Sequence, residues 1–91
     1  MATYTAVLMH GNRGGEGTHT FEGDADLMSR SPVRILRVFM AELEGKAGLG
    51  HIDYEVNAAM KNEDKNVVTA LGNLILHGDD TQPFVCMISP A

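Results

Sequence analysis

From residue 31 onward the apolar positions fall into a helical rhythm. Ile35, Phe39 and Leu43 recur at every fourth position, with Leu36 and Met40 beside them, so one wide stripe is apolar. Arg34, Arg37, Ala41 and Glu44 fall on the opposite face. Ser31 has the hydroxyl an N-cap needs, and Pro32 suits the first helical position, where no backbone donor is required. The pattern predicts a helix from Ser31 to Glu44, ended by the glycines at 45, 48 and 50. Ordering each residue costs about 1–2 kcal/mol in backbone entropy, so such a helix persists only with a sheet beneath its stripe.

Elsewhere the period is two. Residues 3–10 are β-branched and apolar, and residues 18–25 alternate polar with non-polar, which predicts two strands. A two-residue turn at Gly14-Gly15 would join them as a hairpin with Arg13 facing Glu16. In that register Tyr4 meets Ala25, Ala6 meets Gly23, Leu8 meets Phe21 and His10 meets His19. The other face pairs Thr5 with Asp24, Val7 with Glu22 and Met9 with Thr20, so the apolar and polar positions separate. The intervening glycines, 11 to 17, do not make a phosphate loop. They lack the Lys-Ser/Thr ending, and a strand follows rather than a helix.

Leu27-Met28 suggests a turn of helix in the connection. Beyond the glycine-rich exit, Ile52, Tyr54, Val56, Ala58 and Met60 share one face of a third strand, with Asp53, Glu55, Asn57 and Ala59 on the other. Residues 61–66 form a polar turn centred on Asp64, and residues 67–76 a fourth strand. This register sets Met60 against Val68, Ala58 against Ala70, Val56 against Gly72 and Tyr54 against Leu74. His77 to Gln82 is a further turn, and Pro83 introduces a last strand from Phe84 to Ser89, its missing donor suiting a strand's first residue or a sheet edge. The expected fold class is α+β: one domain over residues 1–91, with about five mostly antiparallel strands in the order β-β-α-β-β-β and one helix on one face.

Composition narrows the function classes. Ninety-one residues of which 44% are hydrophobic give one modest core. Seven basic against twelve acidic residues leave a net charge of −5, which argues against a nucleic-acid binder because phosphates require a cationic footprint. No apolar run reaches the roughly 20 residues a bilayer span needs, and nothing resembles a signal peptide. The lone Cys86 rules out an internal disulfide and fits a reducing, cytoplasmic setting.

Candidate chemistry is sparse. His10 and His19, if opposed across the first hairpin, could share a metal ion, but two ligands make half a site, and Asp26 or His51 would have to supply a third. His51 and His77 would face each other in the second hairpin. Cys86 lies among Phe84, Val85, Met87 and Ile88, which raises a thiol's pKa and suits a small core residue. Asp79-Asp80 and Glu63-Asp64 are turn residues, and Asp53 with Glu55 marks a solvated strand face. No carboxylate pair, nucleophile triad or cofactor fingerprint is present, so the sequence leans away from an enzyme without deciding the question, and no cofactor is implied.

The excess is apolar. Val67, Leu71 and Ile75 alternate with the helix-facing positions of the fourth strand and so look outward. Val7 and Met9 share that face, and Val85 and Met87 join it in one register of the last strand. A single helix leaves this face in water, which implies a homodimer, a higher homo-oligomer or another protein as partner. The expected function is therefore a small module acting through protein association. The alternatives are a small metal-dependent regulator or enzyme built on the paired histidines, and an antitoxin-like regulatory module suggested by a hairpin followed by a helix.

Overall fold

Ser31 starts the helix as its position suggests. In this computed structural model, which describes residues 1–11, 15–47, 53–76 and 80–91, the Arg34 amide donates to Ser31 Oγ at 3.4 Å and the Ile35 amide to the Ser31 carbonyl at 3.0 Å. The helix, α1, runs Pro32–Ala47. Ile35, Leu36, Phe39 and Met40 are fully buried, and Leu43 packs half-buried against them. Gly45 does not end the helix but lies within its last turn, since the chain remains helical to Ala47.

Five antiparallel strands, β1 (Ala2–His10), β2 (Gly15–Gly23), β3 (Asp53–Asn62), β4 (Val67–Leu76) and β5 (Asp80–Pro90), form one sheet in the order β2-β1-β5-β4-β3. The fold is thus α+β, with strand and helix order β-β-α-β-β-β. A short 3-10 turn at Leu27–Ser29 links β2 to the helix and buries Leu27 and Met28. The core lies between α1 and the sheet face carrying Tyr4, Ala6, Leu8, Phe21, Val68, Ala70, Leu74, Phe84, Cys86 and Ile88. Among the described residues, no helix is long and apolar enough to cross a membrane.

Both hairpins depart from their expected registers, in opposite ways. In the first, Phe21 pairs with Tyr4 rather than Leu8, His19 with Ala6, and Gly15 with His10, a displacement of four residues along β2. The even step leaves every side chain on its expected face but gives it a new neighbour. Aromatic packing accounts for the choice. Phe21 stacks on Tyr4 with ring centroids 5.6 Å apart, and Phe39 of the helix lies 5.6 Å from Phe21 on its other side. Each such contact contributes about 0.5–1.5 kcal/mol beyond its buried area. Gly14 and Arg13, on which the expected turn and charge pair depended, lie outside the described residues, as do Ile52, His51 and His77.

In the second hairpin Tyr54–Leu74 and Val56–Gly72 pair as expected. A β-bulge then leaves Asn57 without a β4 partner, so Ala58 meets Leu71, Ala59 meets Ala70, and Met60 meets Thr69. One extra residue reverses the alternation. Ala59 turns in against the core, whereas Met60, expected to face the helix, is 62% exposed. Gly72 makes room for the distortion: a Cβ there would stand 1.9 Å from the Glu55 carbonyl oxygen.

Pro83 is also placed otherwise than expected. β5 is the central strand, and Pro83 lies inside it opposite Asn73. Its carbonyl accepts from the Gly11 amide at 3.0 Å, so its nitrogen also faces the β1 side, just past the last residue of β1. The ladder has ended there, and the missing donor costs no strand pairing.

Candidate interaction surface

The candidate surface follows from strand pairing alone. β5 separates β1 from β4, so Val7 and Met9 do not adjoin Val67, Leu71 and Ile75 directly. Val85 and Met87 of β5 bridge them. Two transverse rows result on the face away from α1: Met9, Val85, Leu71 and Ala58, then Val7, Met87, Thr69 and Met60. Leu71 is 39% exposed and Met87 37%, whereas Val7, Met9, Val67, Ile75 and Val85 are half-buried by their neighbours. Met60 and Ala58 are the members that strict alternation missed. The Ala58-Ala59 doublet is the one sequence feature that could have signalled the change of face.

Polar residues fringe the rows. Thr5, Thr18 and Thr20 occupy the β1–β2 side, and Asn73 the β4 side. The charged groups described on this face are Glu22 on β2 and Asp53 with Glu55 on β3, at opposite edges of the sheet. No lysine or arginine is among the described residues of this face, because Lys61 pairs with Val68 on the helix side and its Nζ donates to the Met28 carbonyl. The centre of the face is therefore uncharged and its margins are acidic.

The histidines are not brought together. Four residues of β1 separate Ala6, which faces His19, from His10, which faces Gly15, or about 13 Å of extended chain. The His10 Nδ1 is 3.2 Å from Gln82 Oε1, and the His19 ring packs on Phe39 at 5.8 Å between centroids. The shared position that would have let His10 and His19 bind one metal ion does not exist in this register. Among the described residues no group of three His, Cys, Asp or Glu side chains could hold a metal ion. Asp26 is instead part of a surface charge cluster, with Arg30 3.7 Å from it and 3.5 Å from Asp24. Cys86 is buried on the helix face, and burial pushes its thiol up to about 12, so it is not a nucleophile at neutral pH.

A second concavity lies between α1 and β3. It is a shallow cleft of about 520 Å³ lined by Val33, Arg37, Tyr54, Val56, Asn57 and Ala59, among others. Burial raises the Tyr54 hydroxyl above its ordinary pKa, with Arg37 opposing the rise and Glu44 adding to it, so Tyr54 is a neutral donor. No protein family, curated protein sequence or solved structure matches this chain.

Proposed function

We propose that this chain is an association module whose outer sheet face pairs with a second copy of itself. The observation that carries the reading is the apolar row Met9, Val85, Leu71 and Ala58 beside the Val7–Met87 pair, with the described charges confined to the margins. Protein interfaces share that arrangement, an uncharged centre inside a polar rim. The dimensions also fit. Five strands about 4.8 Å apart and about 30 Å long give the whole face, polar margins included, roughly 700 Å² per copy, close to the ~800 Å² each partner contributes to a stable complex. Twofold pairing of identical faces is the commonest closed arrangement of small homo-oligomers. A reducing, cytoplasmic setting accords with a lone cysteine that is buried and unpaired.

Sedimentation at micromolar concentration tests the reading. The native chain is expected to be dimeric and Leu71→Lys monomeric, because the substitution sets an unpaired charge at the centre of the buried face. Arg37→Glu, on the helix side of the sheet in the cleft beside β3, leaves assembly unchanged. A monomeric native chain, or a dimer indifferent to Leu71→Lys, overturns it.

A further inference from the structure

β3 is the end strand of the sheet, and among the described residues no other backbone pairs with its outer edge. Alongside that edge runs the cleft shared with α1. The side chains that reach it are unequal in character. Val33, Val56 and Ala59 are apolar, whereas Arg37, Tyr54 and Asn57 all offer N–H or O–H donors. Arg37 is exposed and makes no salt bridge among the described residues, in a chain whose net charge is −5. Lys61 stands further along β3 towards the start of the helix, and Glu44 influences the Tyr54 end. Arg37 is the one cation among the described residues lining the groove, and it acts on Tyr54 together with Glu44.

We infer that this groove takes an extended peptide segment carrying a carboxylate side chain. The peptide adds to β3 as a sixth strand and sets its carboxylate among Arg37, Tyr54 and Asn57. Main-chain bonding to a free edge supplies affinity in such complexes, and the flanking pocket supplies specificity. A guanidinium offers paired donors in the geometry a carboxylate accepts. The bulge at Asn57 distinguishes this occupant from a second copy. It divides the edge, leaving Tyr54–Val56 and Ala58–Asn62 as two short flanks, which blocks pairing of two whole β3 strands but leaves a flank that a short peptide can use. This site is independent of the outer face, because Arg37 and Leu71 lie on opposite sides of the sheet.

The probe is a displayed library of random nine-residue peptides selected against the full-length chain, followed by binding measurements on synthetic copies. Enriched peptides are expected to carry Asp or Glu within a β-branched stretch. Arg37→Glu should weaken them about tenfold or more and favour counterparts with lysine at the acidic position. N-methylation of alternate peptide amides should abolish binding, and amide-exchange protection should rise along Tyr54–Val56, on one side of the bulge. Leu71→Lys should bind them as the native chain does. Absence of enrichment, an acidic preference that survives Arg37→Glu, N-methylated peptides that bind normally, or protection on other strands would each overturn the inference.

Discussion

The two faces of the sheet are built from the same strands, and on β4 and β5 both carry large apolar residues, yet they have different fates. On β4, Val68, Ala70 and Leu74 are buried beneath α1, while their immediate neighbours Val67, Leu71 and Ile75 remain partly in water. On β5, Phe84, Cys86 and Ile88 are buried, and Val85 and Met87 are not. A half-solvated antiparallel sheet normally alternates apolar with polar residues. β5 instead reads as a continuous apolar run from Phe84 to Ile88, the pattern of a strand covered on both sides, and β4 puts Val67, Leu71 and Ile75 on the open face, interleaved with Thr69 and Asn73. One helix covers one side, so Leu71 and Met87 of the other side stay partly exposed in the single chain.

The sharpest way to break this comparison is to truncate one large side chain on each face. Phe39 is 1% exposed and packs against both Phe21 and His19, so Phe39→Ala should cost about 3–5 kcal/mol and leave a marginal fold. Leu71→Ala on the open face should cost less, on the order of 1 kcal/mol in a monomer, because 39% of its surface is already wet. If a second copy covers it, the melting temperature of the native chain rises with protein concentration and that of Leu71→Ala rises less. Thermal unfolding of both variants over a hundredfold concentration range distinguishes the cases. Equal, concentration-independent losses at the two positions would remove the asymmetry.

Gly72 marks where the two faces change identity along β3. An alanine there would press its Cβ into the Glu55 backbone and against Phe84, whose ring lies 3.1 Å from the same point. Backbone contacts of that kind relax only by moving a strand, so Gly72→Ala should destabilise by about 1–3 kcal/mol. The loss should appear as reduced amide protection confined to β3 and β4. Uniform protection with unchanged stability would show that the bulge does not depend on this glycine.

The same region shows what the sequence could and could not disclose. Helix, strand count and element order were legible because they depend on periodicity and capping, as at Ser31 and along Ile35–Leu43. Face assignment in the first hairpin was legible too, since an even displacement preserves it. Partners were not, because a turn preference at Gly14-Gly15 competes with a Tyr4–Phe21–Phe39 aromatic cluster that only the folded chain assembles. In the second hairpin Tyr54 and Val56 were placed correctly and Met60 was not. The inserted residue at Asn57 is invisible to a period of two, and the close approach of Glu55 to Gly72 is a tertiary event. Strand order was equally hidden, and with it the role of β5 as the bridge between the apolar residues of β1 and β4.

Cys86 offers a titration that reports on the covered face alone. Burial raises its thiol from 9.0 to about 12. The folded chain therefore holds a proton that the unfolded chain releases, and the stability this gives is complete below about pH 9 and is lost as pH rises towards 12. By about pH 10.5 the loss should reach roughly 2 kcal/mol, and Cys86→Ala should flatten that part of the stability curve. Denaturant unfolding at a series of pH values from 8 to about 10.5 measures the difference. Identical slopes for the two proteins would mean that the thiol is hydrated and the covered face less dry than its packing implies.

The smallest expected effect strengthens the cover without touching the face it leaves open. Gly45 lies in the last turn of α1, and a Cβ built on it would meet nothing within 4 Å. Glycine inside a helix is about 0.5–1 kcal/mol less favourable than alanine, largely because the unfolded chain has more freedom to lose. Gly45→Ala should therefore raise stability by about that amount, or a few degrees in melting temperature for a chain of this size. Because the position is on the helix and away from Leu71 and Met87, the dissociation constant of the proposed dimer should be unchanged when both proteins are compared by sedimentation. A stabilised helix with unaltered assembly would show that the covered and open faces are energetically separate. A shift in the dissociation constant would instead mean that α1 and the outer face communicate through the sheet, and that the open side is tuned by how firmly the helix holds the other.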